Sequence, residues 1–399
     1  MTQQPVFSRP KVALARCRSY ERSDVVPALE LVFEKLGGLR GFVGSGKRIF
    51  VKINHLSPAS PPERAIQTHP AFTREVLRLL LDCSAKVMVG DDIQGSPGNG
   101  FTKSGYRAIC SELGVQLVNL KETGFAEIDI KGQVLDKAYV ARPILEADAI
   151  VNLPKLKTHS FTIFTGAVKN MFGVIPHGLR LHYHRQFVRN DVFARMLVDL
   201  FSSVPPRLNV MDAVVAMEGE GPSAGYPRQV GLILASPDGV ALDAVASRIV
   251  GFNPMAIHTI AIADARKIGV GNIQQVEILG PDLDEVTVKG FKHSAAAFGL
   301  FRRRLPSIVY AFLQQQLVLM PEVRSQKCTA CQECVLMCPR GAISLIDGAA
   351  FIRAEDCIHC LCCHEVCERR AIRLKQLLVG RIIRQGERLL GMLNRMRSS

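Results

Sequence analysis

Tryptophan is absent from this chain of 399 residues, tyrosine occurs six times, and aromatic residues make up only 6%. A nucleic-acid interface built on base stacking is poorly supplied by such a composition, and neither zinc-finger spacing nor an aromatic RNP signature occurs. Also missing is an apolar run long enough to cross a bilayer. The most apolar candidate, SIVYAFLQQQLVLM (307–320), is short and interrupted by three glutamines. The opening MTQQPVFSRPKVALARCRSY has no apolar stretch of the kind export requires, so a cytoplasmic chain with reduced thiols is expected. No G-x-G-x-x-G follows a strand pattern, and the sequence reveals no second cofactor by that fingerprint. Acidic residues are short as well, 36 against 50 basic ones, leaving a net charge of +14. That excess suits anionic lipid, an acidic protein or an anionic small molecule, with nucleic acid the weakest reading.

Cysteine is plentiful, with 12 residues, and eight of these fall in two copies of one pattern. Cys328, Cys331, Cys334 and Cys338 form the first copy, followed by Pro339; Cys357, Cys360, Cys363 and Cys367 form the second. Each reads C-x-x-C-x-x-C-x-x-x-C, the run that holds [4Fe-4S] cubes in bacterial ferredoxins. Three closely spaced thiolates wrap one cube, while the fourth ligates the other cube. The sets expected are therefore Cys328, Cys331, Cys334 and Cys367 for one cluster, and Cys357, Cys360, Cys363 and Cys338 for the second. A structural zinc ion would use only four of these thiolates. Disulfides do not suit a chain without an export signal. The two copies align at an offset of 29 residues, and Ala342–Ile346 and Ala350–Ile352 flank Asp347-Gly348, a hairpin turn signal. The stretch resembles the bacterial two-cluster ferredoxin domain over about residues 321–375. It departs at Glu368, where the first copy has Pro339, so charge beside Cys367 differs and the two potentials need not match. Cys362 reads as a packed thiol outside both ligand sets, with ligand exchange as the lesser alternative.

Residues 1–290 are rich in Val, Ile, Leu, Ala and Gly, enough for a large core. Strands are expected at Lys11–Cys17, Ile49–Leu56, Lys86–Asp91, Val115–Leu120, Ala149–Leu153, Leu208–Met217 and Val230–Ser236. Helical periodicity covers Ser23–Leu36, Pro70–Cys83, Lys103–Leu113 and Asp191–Phe201. Such alternation predicts an α/β domain with a mostly parallel sheet, followed by the small α+β ferredoxin-like domain. Residues 291–320, with Arg302-Arg303-Arg304, read as a helical linker. Residues 376–399 hold RIIRQGERLLGMLNRMR (381–397), with five Arg against one Glu. Ile382, Leu389, Leu393 and Met396 share one face of a basic amphipathic helix there, packed on its own protein or on a membrane surface.

Ligands of parallel sheets sit beyond the carboxyl ends of the strands, where Asn54-His55, Asp91-Asp92, Asn152, Asp212 and Asp238 occur. The densest polar stretch is NLPKLKTHSFTIFTGAVKNMFGVIPHG (152–178), with Lys155, Lys157, His159, Thr165, Lys169 and Asn170 among glycines. Lysines beside glycine turns suit an anionic ligand held by side chains and backbone N–H groups. MEGEGPSAGYP (217–227) adds a glycine-rich loop after a strand, and Asp238 and Asp243 open a helix, where Asp238 is as readily an N-cap as a ligand.

LKTHSFTIFTGAVKNMFG, the MEGEGPSAGYP loop, SPDGVALDAVASRIVG, and VKINHL followed by THPAFTREVLRLL and VGDD resemble the signature segments of the domain of unknown function 362 family. The resemblance spans about residues 10–280 and implies the α/β architecture, commonly followed by a two-cluster ferredoxin domain, without naming a reaction. GAVKNMFGVIP (166–176) is similar, over that short span, to the Gly-Lys-Pro segment of nickel-dependent lactate racemases, which implies that Lys169 faces a site.

Three functions compete at this level. An iron–sulfur oxidoreductase would pass single electrons to or from an anionic substrate, with Lys155, Lys157 and Lys169 holding the anion, and His159 with Asp212 or Asp243 handling protons. An electron carrier would use the α/β domain to dock an acidic redox partner protein. A maturation or sensing protein would use cluster occupancy as its signal.

Overall fold

The computed structural model describes residues 9–56, 60–93, 99–294 and 319–376. In chain order the strands are β1 (Lys11–Arg16), β2 (Arg48–Ile53), β3 (Lys86–Asp91), β4 (Gln116–Asn119), β5 (Phe125–Asp129), β6 (Lys137–Ala141), β7 (Ala149–Leu153), β8 (Lys155–His159), β9 (Ile163–Thr165), β10 (Leu208–Glu218), β11 (Tyr226–Ser236) and β12 (Glu277–Leu279). Most join one sheet in the order β12-β1-β11-β10-β7-β2-β3-β4, with β8 paired to β10 and β9 to β8. The run β10-β7-β2-β3-β4 is parallel throughout, while β11 is antiparallel to both of its neighbours. The fold is therefore α/β with a mostly parallel central sheet.

Strand alternation explains why the sheet needs helices on both faces. In β1, Val12 and Leu14 enter one core while Ala13 and Ala15 enter the other. In β2, Phe50 belongs to the first core and Ile49, Val51 and Ile53 to the second. A strand buried on both sides reads as a continuous apolar run, and such runs marked these strands in the sequence. The helices Arg22–Lys35 and Pro70–Asp82 cover the second face, and Asn190–Ser203 and Gly239–Ile249 cover the first.

Two expectations change. The helix expected at Lys103–Leu113 starts at Tyr106, because Gly105 at φ 83 separates it from a short helix, Asn99–Lys103. The polar stretch 152–178, expected beyond the end of a strand, itself contributes two further strands, β8 and β9. Every residue of β8 is buried, although alternate positions are Lys155, Lys157 and His159. Lysines on a buried strand give no apolar signal.

The C-terminal unit pairs β13 (Leu319–Val323) with β16 (Ile372–Gln376), and β14 (Ile343–Ile346) with β15 (Ala349–Ile352). Asp347 and Gly348, at φ 48 and 75, make the hairpin turn between β14 and β15, as a turn with two positive φ residues requires. Most of the expected helical linker (295–318) and of the basic C-terminal helix (377–399) lies outside the described residues. No described helix is long and apolar enough to cross a membrane.

Candidate functional site

The repeated cysteine motifs line two cavities. Cys328, Cys331, Cys334 and Cys367 surround one of about 210 Å³. Cys338, Cys357, Cys360 and Cys363 surround a narrower one of about 20 Å³. Backbone amides reach three of these sulfurs: Ala342 N–H donates to Cys338 Sγ at 3.2 Å, Ala371 N–H to Cys367 Sγ at 3.2 Å, and Ala350 N–H to Cys328 Sγ at 3.4 Å. Four thiols per cavity, with N–H donors aimed at sulfur, are the donor set an iron–sulfur cluster uses.

A third cavity, about 100 Å³, lies where this unit meets the sheet's carboxyl ends. From the α/β side come His55 after β2, Asp92 after β3, Lys169 and Phe172, and one face of the helix His177–Gln186. That helix contributes His177, Arg180, Leu181 and His184, spaced i, i+3, i+4 and i+7. From the other side come Met337, Cys362, Glu365 and Val366. Val366 also walls the first cysteine cavity, while Met337 and Cys362 each adjoin a cysteine of the second.

Close packing sets the position of Lys169. Its short helix, Ala167–Asn170, begins at Gly166, and Asp243 caps it by accepting from Ala167 N–H at 2.6 Å and Val168 N–H at 3.1 Å. A Cβ at Gly166 would stand 2.1 Å from Asp243 Oδ1. A Cβ at Gly173 would stand 2.5 Å from Asp91 Oδ1 and 2.9 Å from Lys52 Nζ, a buried ion pair of 2.8 Å. Only glycine permits both approaches. Amides crossing the strand ends complete the support: Asn54 donates to Asn170, Asn170 to Asn152, and Asn152 to Asn209.

Burial dominates the electrostatics. It lowers His184 and His55 to about 3 and His177 to about 4, so these imidazoles are neutral at pH 7. Burial, then the neighbouring Lys169, bring Lys157 down to about 7. Lys169 is lowered by burial and partly restored by Glu365. Arg180 pairs with Asp92 at 2.6 Å. His159 accepts the amides of Phe161 and Thr162 at Nδ1, which places its proton on Nε2, 3.3 Å from Glu365 Oε1. His159 Nε2, His184 Nδ1, Arg180 Nε and Glu365 Oε1 are buried and make no hydrogen bond of good geometry.

The residues singled out in the sequence thus separate. Lys157, His159 and Lys169 gather around Glu365. Lys155 and Asp212 pair at 2.7 Å away from that cavity, and Asp212 also accepts from Tyr20 and from the His69 amide. Asp243 lies beneath the Lys169 helix and Asp238 caps its own helix through Val240 and Ala241. Cys362 is 3% exposed and lines the shared cavity, in neither thiol set. Sequence reasoning passed over Arg180, His177, His184 and Glu365. The helical spacing in HGLRLHYHRQ was a legible signal for the first three, whereas nothing local marks Glu365. The MEGEGPSAGYP loop clasps the cysteine unit: Ser223 Oγ donates to the Glu365 carbonyl, and Arg370 donates to the Gly225 carbonyl at 2.8 Å.

An α/β domain whose strand ends are covered by a cysteine-rich, ferredoxin-like unit defines an iron–sulfur protein. The chain belongs to the family described as a domain of unknown function, DUF362, which it matches over residues 49–248, and it carries a 4Fe-4S binding domain matched at 321–344. It is 30% identical over 304 residues to the thylakoid-associated protein sll1697 of Synechocystis, covering 71% of this chain and 94% of that protein. A shorter similarity, 38% over 58 residues, relates it to RNA polymerase subunit Rpo3 of Methanosarcina acetivorans, covering 22% of that subunit. Among solved structures, the lactate racemase apoprotein of Thermoanaerobacterium thermosaccharolyticum aligns with a TM-score of 0.41 and 16% identity, over 62% of this chain and 59% of that one.

Proposed function

We propose that this protein is an oxidoreductase carrying two [4Fe-4S] clusters, and that a small anion binds in the cavity between the strand ends and the cysteine loops. Bound clusters would supply one-electron transfer, held by Cys328, Cys331, Cys334 and Cys367, and by Cys338, Cys357, Cys360 and Cys363. The observation that carries the reading is that cavity itself. It brings Lys169, Arg180 and unpaired polar atoms against residues that adjoin both thiol sets. Buried polar atoms without partners call for a ligand or ordered water. At about 100 Å³ the space fits a small carboxylate or inorganic oxyanion. Lys169 supplies the charge, since Asp92 already offsets Arg180 and burial pushes Glu365, the carboxyl facing Lys169, towards its neutral form. Lys157 adds to it below pH 7, and neutral His184 and His177 offer directional hydrogen bonds. Lys155, Asp212 and Asp243 hold the scaffold in this reading, and His159 orients Glu365.

Lys169→Met tests it, because the change keeps the stem's volume and removes the charge. Anaerobically reduced protein is mixed with inorganic phosphate, sulfite and two- to four-carbon carboxylates, and reoxidation is followed by absorbance. The variant should fold, keep its iron and lose anion-dependent reoxidation at least tenfold. A variant as active as wild type would favour the electron carrier, whose α/β domain docks a redox partner. The relative's name speaks of thylakoid association; for this chain we propose a cytoplasmic location with peripheral membrane contact through the basic stretch 381–397. Deleting 381–399 should abolish co-sedimentation with anionic vesicles, and unchanged binding would remove that role.

A further inference from the structure

A separate and larger cavity, about 520 Å³, opens between the MEGEGPSAGYP loop, the segment Lys292–His293 and the β13–β16 edge. Its volume lies in the range of pockets that take drug-sized ligands, roughly 300–1,000 Å³. Ile372 walls both this cavity and the one lined by Cys328, Cys331, Cys334 and Cys367. A ligand here would therefore lie one side chain from an iron–sulfur site.

The walls are basic. Lys292, Arg324, Arg370 and Arg373 line the cavity, with Glu220 as its acidic member. Arg373 is neutralised by Glu322, and Lys292 lies 3.9 Å from Glu218. Arg324 and Arg370 enter no salt bridge among the described residues. Backbone carbonyls hold them instead: Arg324 donates to the carbonyl of Arg370, and Arg370 to that of Gly225. Two guanidinium charges are thus fixed in place without being neutralised. Arg370 also stacks over the Tyr226 ring, 4.5 Å from its centroid, and Tyr226 is 56% exposed. Fixed arginines suit a phosphate, and an exposed ring beside a guanidinium plane suits a flat aromatic group.

We propose that this cavity binds a mononucleotide-sized anion with an aromatic ring, and that its occupant is flavin mononucleotide exchanging electrons with the adjoining iron–sulfur site. A mononucleotide has one phosphate and needs no glycine-rich dinucleotide fingerprint, which agrees with the absence of that motif. A reduced flavin releases two electrons and two protons. Two clusters take one electron each and the protons leave through the open mouth; this count alone rests on the two-cluster reading above.

The test uses anaerobically purified, iron-loaded protein and follows flavin fluorescence. Flavin mononucleotide should bind with micromolar affinity and be quenched, inorganic phosphate should compete, and AMP should bind more weakly. Tyr226→Ala should weaken flavin binding about tenfold, the loss of one stacking partner. Lys292→Gln should weaken it several-fold, and both variants should retain full iron content. Lys169→Met should leave flavin binding unchanged, which separates this cavity from the smaller one whatever the outcome there. No quenching up to millimolar flavin, or binding indifferent to Tyr226→Ala and Lys292→Gln, would overturn the proposal. Equal affinity for AMP and flavin mononucleotide would overturn its assignment to an electron carrier.

Discussion

Asp243 is buried at 1% exposure and spends both carboxyl oxygens on the amides that start the Lys169 helix. Burial pushes this carboxyl up to about 7, against the two amide bonds that favour its charge. In the unfolded chain the same group titrates near 3.9, so between those values the folded state binds more protons. The stabilising contribution is complete below about pH 4 and is lost as pH rises through about 7. Asp243→Asn should therefore flatten the fall in stability from pH 4 to 7, by a few kcal/mol at most. Denaturant midpoints across that range measure it, and a slope identical to wild type would show that Asp243 is charged when folded. Buried lysines differ in how they are paired. Lys155 has Asp212 at 2.7 Å and Lys52 has Asp91 at 2.8 Å, whereas Lys169 and Lys157 make no ion pair among the described residues, Lys157 donating instead to the Ile66 carbonyl. That contrast, more than lysine content, separates scaffold from candidate site.

At the scale of elements, the two cysteine repeats share a sequence pattern and differ in setting. The helix Glu333–Leu336 of the first copy buries no residue, and Leu336 is 72% exposed. The matching helix of the second, Cys362–Val366, buries four of its five residues. Glu365 stands at the position equivalent to Leu336 and reaches His159. One copy faces solvent and the other plugs the strand ends. Glu368, the departure from Pro339, has a matching explanation, since it pairs with Lys103 at 3.2 Å and accepts from Ser60. Anaerobic protein should contain about eight iron and eight sulfide per chain. Cys334→Ala should lose at least one cluster, while Cys362→Ala should keep its iron, because Cys362 lines the shared cavity instead of a thiol set. Loss of four iron atoms on Cys362→Ala would reassign that thiol as a ligand.

For the whole molecule, the main cores lie on the two faces of the large sheet, and among the described residues the cysteine unit adds two small clusters, one around Ile343, Ala350, Cys363 and Ile372 and one around Leu319 and Leu361. A unit with so little apolar burial depends on its cofactor for order. Air oxidation should therefore expose 321–375 to protease first, while the α/β domain stays folded, as read by cleavage mapping together with circular dichroism. Cooperative loss of both would mean that contacts such as Lys103–Glu368 and Ser223–Glu365 bind the two parts into one folding unit.

The apolar runs in β2, β3, β7 and β10 sufficed to indicate a parallel sheet, because strands buried on both faces must be apolar at successive positions. Cysteine spacing sufficed to indicate iron–sulfur chemistry, since ligand geometry acts over a few residues of chain. Asp347-Gly348 likewise marked its hairpin locally. Which buried lysines stay without an ion pair was not written locally. Lys155 finds Asp212 57 residues away and Lys52 finds Asp91, and such pairings exist only once the sheet is assembled. Glu365 met Lys169 and His159 for the same reason, through the packing of one unit onto another. Local sequence determined the main strands of the sheet, though not β8 and β9, and the metal chemistry. The candidate site was decided by tertiary structure, because its charges come from segments that only the fold brings together.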